Sequence, residues 1–186
     1  MRARRHVLSI DDGPFDKYRD REALLVGVVT AGGDLVEGVL TTRVPVDGDR
    51  ITERMAEWTA RSRFRPVLRA VLINGLTTAG LSVVDLTELS RLLDLPAISV
   101  QRRPPRSAEV LRALEAAGLP ERGALLERAG PSHLAGEVSF FCAGVDPAAA
   151  RAIIEAESGR SNLPEGLRLA HIIAQGLVLG ESRGRA

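Results

Sequence analysis

HVLSID opens the chain as a short apolar stretch, and ALLVGVVTAGGDLVEGVLTTRV follows as two apolar segments joined by the turn signal Gly32-Gly33-Asp34. If the first strand pairs with the second, these segments make a three-stranded antiparallel start. PVDGD then breaks the pattern. ITERMAEWTARS carries Ile51, Met55 and Trp58 at helical spacing, with Asp49 placed to cap its start. LRAVLIN is apolar almost without interruption, as expected of a central parallel strand covered on both faces, and it ends in the turn pair Asn74-Gly75.

VVDLTELSRLLDL offers Asp85 as a helix cap with Glu88 three residues on; AISVQRR reads as another buried strand, closed by Pro104-Pro105. SAEVLRALEAAGL is a helix that stops at Gly118, and PERGALLERAG adds a short one. EVSFFCAG is a late strand, DPAAARAIIEAES a helix capped by Asp146 with Pro147 in its first turn, and LPEGLRLAHIIAQGLVLG a final helix. A strand meander followed by alternating strands and helices predicts an α/β fold, a mixed sheet with helices packed against it. At 186 residues, with no repeat or domain-sized linker, residues 1–186 are expected to form a single domain.

Composition narrows the class only slightly. The chain is 45% hydrophobic and 26% charged, with no apolar run approaching the roughly 20 residues needed to span a bilayer. VLSI is too short for a signal peptide's apolar region, so the expected compartment is cytoplasmic, with no membrane partner. The single cysteine, Cys142, leaves no internal disulfide and no cysteine-rich zinc framework. Net charge is +1, which gives no global push toward nucleic acid, but Lys17 is the sole lysine and the remaining positive charge is arginine. Two arginine runs, Arg61, Arg63, Arg65 and Arg69, then Arg102, Arg103 and Arg106, could track phosphates or simply form solvated faces.

The chemistry begins at Asp11 and Asp12, adjacent acids at the end of an apolar strand. Strand alternation sends them to opposite faces, so at least one carboxylate meets an apolar environment, a costly placement without a cation. In open α/β sheets ligands gather outside the carboxyl ends of the strands. Asp11-Asp12, Asp47, Asn74 and Arg102-Arg103 all fall at such ends. Oxygen donors of this kind suit Mg2+ or Mn2+, and guanidinium groups suit a phosphate beside the metal, which together indicate metal-assisted phosphodiester hydrolysis. Asp47-Gly48 also reads as a turn, Asp85 as a cap, and His171 as a residue on the apolar stripe of Leu167, Ala170, Ala174 and Val178. No nucleophile elbow, phosphate-binding loop or dinucleotide fingerprint is present.

The blocks IDDGPF, LVGVVTAGG, EGVLTTRVPVDGDRIT, LINGLTTAG, VVDL, LERAGP, CAGVDPAAARAII and NLPEGLRLAHIIAQGLVLGESRGRA run in order along the chain. In them the sequence resembles the family catalogued as DUF99 or UPF0215 and described as endonuclease dU, which is similar to endonuclease V. That resemblance implies a ribonuclease H-like core and metal-dependent nicking of DNA at deoxyuridine, a deaminated base. It implies that Asp11 or Asp12 is the first-strand metal ligand, that Asp47 lies near the position of a glutamate ligand, and that Asn74 stands where endonuclease V has an aspartate. Arg102 or Arg103 would balance charge on the phosphate, and His171 would join the site. Phe15, Tyr18 and, less directly, Phe64 are the aromatic candidates for contact with an opened duplex. The rival readings are a non-catalytic nucleic-acid-binding or interaction protein of the same fold, and a metal phosphohydrolase acting on free nucleotides.

Overall fold

The computed structural model describes residues 6–103, 107–159 and 161–183. Arg106, Pro104-Pro105 and the outermost residues lie outside that range. The meander forms as expected: β1 (His6–Asp12), β2 (Glu22–Ala31) and β3 (Leu35–Pro45) are successively antiparallel. The chain then crosses through α1 (Ile51–Arg61) to β4 (Leu68–Asn74), which pairs parallel to β1 on its other side. A small hairpin, β5 (Thr77–Thr78) and β6 (Ser82–Val83), precedes α2 (Leu86–Leu93) and β7 (Ala97–Gln101), which pairs parallel to β4. Next come α3 (Ser107–Ala116), α4 (Gly123–Arg128), β8 (His133–Ala135), β9 (Val138–Ala143), α5 (Pro147–Glu157) and α6 (Glu165–Leu179). Among the described residues no helix is long and apolar enough to cross a membrane.

The large sheet has seven strands in the order β3-β2-β1-β4-β7-β9-β8. Since β1, β3, β4 and β7 run the same way, their carboxyl ends share one edge of the sheet. The helices cover both faces. One core joins Leu8, Ile10, Val71 and Ile73 to Met55, Leu89, Leu114 and Leu126 of α1 to α4. On the other face Val7, Leu72 and Phe140 pack with Ile154 of α5 and Leu167 of α6, and Val26 and Val28 meet Ala170 and Ala174. Burial on both sides explains why β4 and β1 read as unbroken apolar runs and not as alternating ones.

Asp85 and Asp146 cap α2 and α5 as predicted, accepting from Thr87 and Glu88 N–H groups and from the Ala149 N–H, respectively. Asp49 does not cap α1: the helix begins one residue later, with Arg50 at the cap position and no side-chain hydrogen bond there. The β5–β6 hairpin and β8 carry too few residues to leave an alternation signal.

α6 approaches β1 closely at Gly166, where an added Cβ would stand 2.5 Å from Ser9 Oγ and 2.9 Å from Ser9 Cβ. Helix propensity alone favours alanine there by about 1 kcal/mol. Overpacking costs about 1–3 kcal/mol, and the neighbour is a fully buried strand residue. Gly166→Ala is therefore expected to lower stability by about 1–2 kcal/mol in urea denaturation; a stabilised variant would contradict this packing.

Glu157, at the end of α5, is buried and accepts a 2.6 Å hydrogen bond from Thr30 Oγ1. Burial holds its carboxyl above the usual range of 4.5, only partly offset by that hydrogen bond. The folded state thus keeps a proton that the unfolded chain releases, so this group's contribution falls as pH rises from about 4.5 through the folded value. Glu157→Gln can keep the bond to Thr30, and is expected to flatten stability over that window when melting is followed against pH.

Candidate functional site

The shared carboxyl edge of β1, β4 and β7 brings together residues far apart in sequence. Asp11 is 4% exposed, and its carboxylate is held from three directions. Oδ1 accepts from the Asp12 N–H at 3.0 Å and from Asn74 Nδ2 at 3.1 Å, while Oδ2 meets His171 Nδ1 at 2.9 Å. His171 reaches it from α6, beside the buried Leu167, Ala170 and Ala174 predicted as its stripe. Asp12, the next residue, accepts at Oδ2 from the Ala79 N–H at 2.8 Å, and its carboxyl lies close enough to that of Asp11 to interact with it.

The electrostatics are those of a site short of positive charge. Burial first, and the Asp11 charge second, push the Asp12 carboxyl up to about 6. The His171 ring is raised above its ordinary value chiefly by its hydrogen bond to Asp11, with burial and the Arg102 charge acting against it. Arg102 and Arg103 follow β7 at the same edge. The Arg103 carbonyl accepts from Ser139 Oγ at 2.9 Å.

Asp47 is engaged differently. Its backbone is left-handed (φ 54°), its carboxylate accepts from the Leu81 N–H at 2.7 Å, and its N–H donates to the Ala79 carbonyl at 2.9 Å. Buried Arg122 completes the clasp, donating to the Leu81 and Asp47 carbonyls at 2.9 and 2.8 Å. The turn passes so close to Asp47 Oδ1 that no side chain fits at Gly80, which has φ 90°. Asp47 therefore holds the outside of the Ala79–Leu81 turn while Asp12 holds its inside, and the structure does not gather Asp47 with the Asp11 group. Among the described residues no group of three or more His, Cys, Asp or Glu side chains is arranged to hold a metal ion.

The remaining candidates separate. Arg65 donates to the Leu93 carbonyl, Arg61 lies 3.8 Å from Glu57, and Arg63 stacks on Phe64 at 4.7 Å. With Arg69 these sit around the start of β4, the end opposite Asn74, so the first arginine run is no part of this site. Asp85 caps α2 and pairs with Arg128 at 2.9 Å. Phe15 packs against the core, whereas Tyr18 is 85% exposed on a turn held by hydrogen bonds from the Asp16 N–H to Asp20 and from the Tyr18 N–H to Asp16. Cys142 lies half-buried in β9, its thiol pushed up by burial.

Sequence reasoning missed Gln175. One helical turn beyond His171, its Nε2 lies 3.0 Å from His171 Nε2, and its Oε1 accepts from the Arg183 N–H at 2.7 Å. The i, i+4 spacing His-x-x-x-Gln was the available signal.

Two adjacent carboxylates, one with its pKa raised by burial and then by the charge of the other, are a donor set that a hard divalent cation would stabilise. Magnesium-type ions commonly bind one or two carboxylates and leave other positions to water and substrate phosphate, so an open half-shell is no obstacle. The residues present fit such an ion.

A meander feeding a parallel β1-β4-β7 core, with acids on the first strand and a helix laid across it, defines a ribonuclease H-like fold of the endonuclease V type. Solved structures agree. Endonuclease V from Streptomyces avermitilis superposes with TM-score 0.61 at 16% identity, covering 96% of this chain and 83% of that one. Endonuclease V from Ciona intestinalis, solved with a 24mer DNA containing an inosine followed by a ribo-adenosine, gives 0.57 at 15%, covering 91% and 83%.

The chain belongs to the endonuclease dU family, whose model matches residues 3–178. A UPF0215 protein of Methanopyrus kandleri is 44% identical over 187 residues, 97% of this chain and 94% of that protein. A protein of unknown function from Archaeoglobus fulgidus has TM-score 0.86 at 32% identity, covering 94% and 98%.

If the Asp12 charge is held against its neighbour, neutralising it relieves the folded state. Asparagine can still accept from Ala79, so in EDTA at pH 7 Asp12→Asn is expected to melt above wild type, by roughly 1–3 kcal/mol of stability. The sign follows from the raised pKa: the wild-type contribution is present below about 3.8 and lost as pH rises through about 6. The two proteins should thus converge near pH 3.8 and below; a variant less stable at pH 7 would remove the repulsion argument.

Proposed function

We propose that this protein is a divalent-metal-dependent endonuclease that hydrolyses a DNA phosphodiester at or near deoxyuridine. The observation that carries the reading is the buried Asp11 carboxylate, held by Asn74 and His171 beside Asp12, on the ligand-binding edge of an endonuclease V-like sheet. Asp11 and Asp12 would hold Mg2+ or Mn2+, with Asn74 adjoining. Such an ion lowers the pKa of a bound water and stabilises the leaving oxygen.

The chain's own groups do the rest. Asn74 Nδ2 and His171 Nδ1 fix the orientation of the Asp11 carboxylate, so that its oxygens need no reorganisation when substrate arrives. Arg102 and Arg103, just beyond β7 at the same edge, supply positive charge for the phosphate backbone. Tyr18, displayed on a hydrogen-bonded turn after β1 with Lys17 Nζ 4.7 Å from its ring centre, is the aromatic available to stack on a base taken out of the duplex. DNA containing deaminated bases is the proposed partner, and cytoplasm the proposed compartment.

A second reading has a specific observation behind it. Asn74 brings no charge, and Asp47 is committed to the hairpin, so the acidic shell is thinner than the family resemblance implies. A non-catalytic nucleic-acid-binding protein would tolerate that.

End-labelled duplexes carrying one deoxyuridine, one deoxyinosine or neither, incubated with Mg2+, Mn2+ or EDTA, separate the two. The nuclease reading expects lesion-dependent nicking that needs metal and falls at least 100-fold in the Asp11→Asn, Asp12→Asn double variant, on the scale of losing electrostatic stabilisation at a reacting centre. Salt-sensitive DNA binding without any product, from folded protein, would establish the non-catalytic reading instead.

A further inference from the structure

His171 is one link in a hydrogen-bonded chain that begins and ends on groups of fixed polarity. At one end Asp11 Oδ2 faces Nδ1 at 2.9 Å; at the other, Gln175 Nε2 faces Nε2 at 3.0 Å. The Gln175 amide is itself oriented by the main chain just beyond α6. There Gly180, at φ 82°, ends the helix, and the Arg183 N–H comes back to donate to Gln175 Oε1 at 2.7 Å.

A backbone N–H can only donate, so the amide atom that receives it is the oxygen, and the other end of the amide is NH2. That NH2 can only donate. The ring nitrogen facing it therefore presents a lone pair. In the neutral imidazole the single proton then resides on Nδ1, where the ionised Asp11 carboxylate accepts it. Rotating the amide by half a turn would set its NH2 against the Arg183 N–H, two donors face to face, and lose that contact. Two groups on opposite sides of the ring, one on β1 and one from the turn after α6, thus demand the same tautomer.

We propose that Gln175, aimed by the main chain of Arg183, is a positioning residue that keeps neutral His171 in its Nδ1–H tautomer with Nε2 occupied. His171 then serves the site through Asp11, whose carboxylate it orients by donating Nδ1–H, and not as a direct metal ligand through Nε2. The bearing on catalysis rests on the nuclease reading above. The hydrogen-bond chain itself does not.

The test is made on metal-free, 15N-labelled full-length protein in EDTA, at a pH where the ring is neutral, using long-range 1H–15N correlation spectra of the imidazoles. Wild-type His171 is expected to show a protonated-type Nδ1 and an unprotonated-type Nε2. In Gln175→Glu a carboxylate that can only accept faces the ring, and a proton is expected on Nε2 at the same pH. In Gln175→Leu the Nε2 signal is expected to shift toward that of an unbonded lone pair. Arg183→Pro removes the aiming N–H without touching the helix, and is expected to give an intermediate shift even if a helix variant fails to fold.

An Nε2–H signature in wild type, or His171 signals unchanged across the folded variants, would overturn the assignment. Failure of the nicking assay with the Nδ1–H signature intact would remove the nuclease reading and leave this one standing. If both hold, Gln175→Leu is expected to lower kcat for nicking by about tenfold with KM little changed, since the interaction it loses is made to the site and not to DNA.

Discussion

The constraint on which this structure turns is the burial of the Asp11 carboxylate. An acid that is 4% exposed at the end of a sheet strand is stable only if its hydrogen-bonding capacity is met and its charge is answered. Its partners come from β1 itself, from β4 and from α6. Each partner requires its element to be in register: β4 must lie parallel beside β1, and α6 must settle onto the strand at Gly166. The carboxylate is a polar pin that packing alone would not place.

Asp12 and Asp47 show how one short turn is shared between site and scaffold. Ala79 is held from inside by Asp12 and the Asp47 backbone, Leu81 from outside by the Asp47 carboxylate, and buried Arg122 secures the far side. The hairpin is thereby tied to the acidic pair through backbone groups, while Ala79 and Val83 pack into the main core. Structural and chemical roles divide between two acids that sequence alone treats as alike. The Asp that terminates a strand faces the site, and the Asp in a left-handed turn faces the hairpin.

Much of the architecture was legible because its signals are local. The apolar run of β4, the Gly32-Gly33-Asp34 turn and the Asp85 and Asp146 caps each depend on a few neighbouring residues, and each forms as read. Asp49 misled because a good capping residue one position early loses to the geometry with which the chain enters α1. The hairpin and β8 span two or three residues and have no period to detect. At the site, Asp11 announced itself by its cost in an apolar strand. His171 looked like a core residue, since its neighbours on α6 are core residues. Gln175 left only its i, i+4 spacing to His171 as a signal, because the group that orients it is the main chain eight residues later, which carries no side-chain signature.

The span between Asp11 and His171 is 160 positions, and that distance has a kinetic meaning. The meander β1-β2-β3 can form from sequence-local contacts as soon as it is synthesised, whereas α6, which packs on β1 and β2, is made only after all the strands. On a ribosome, a chain paused anywhere before residue 171 displays the acidic pair without its histidine. The partner that meets Asp11 Oδ2 is thus among the last parts of the described chain to be made.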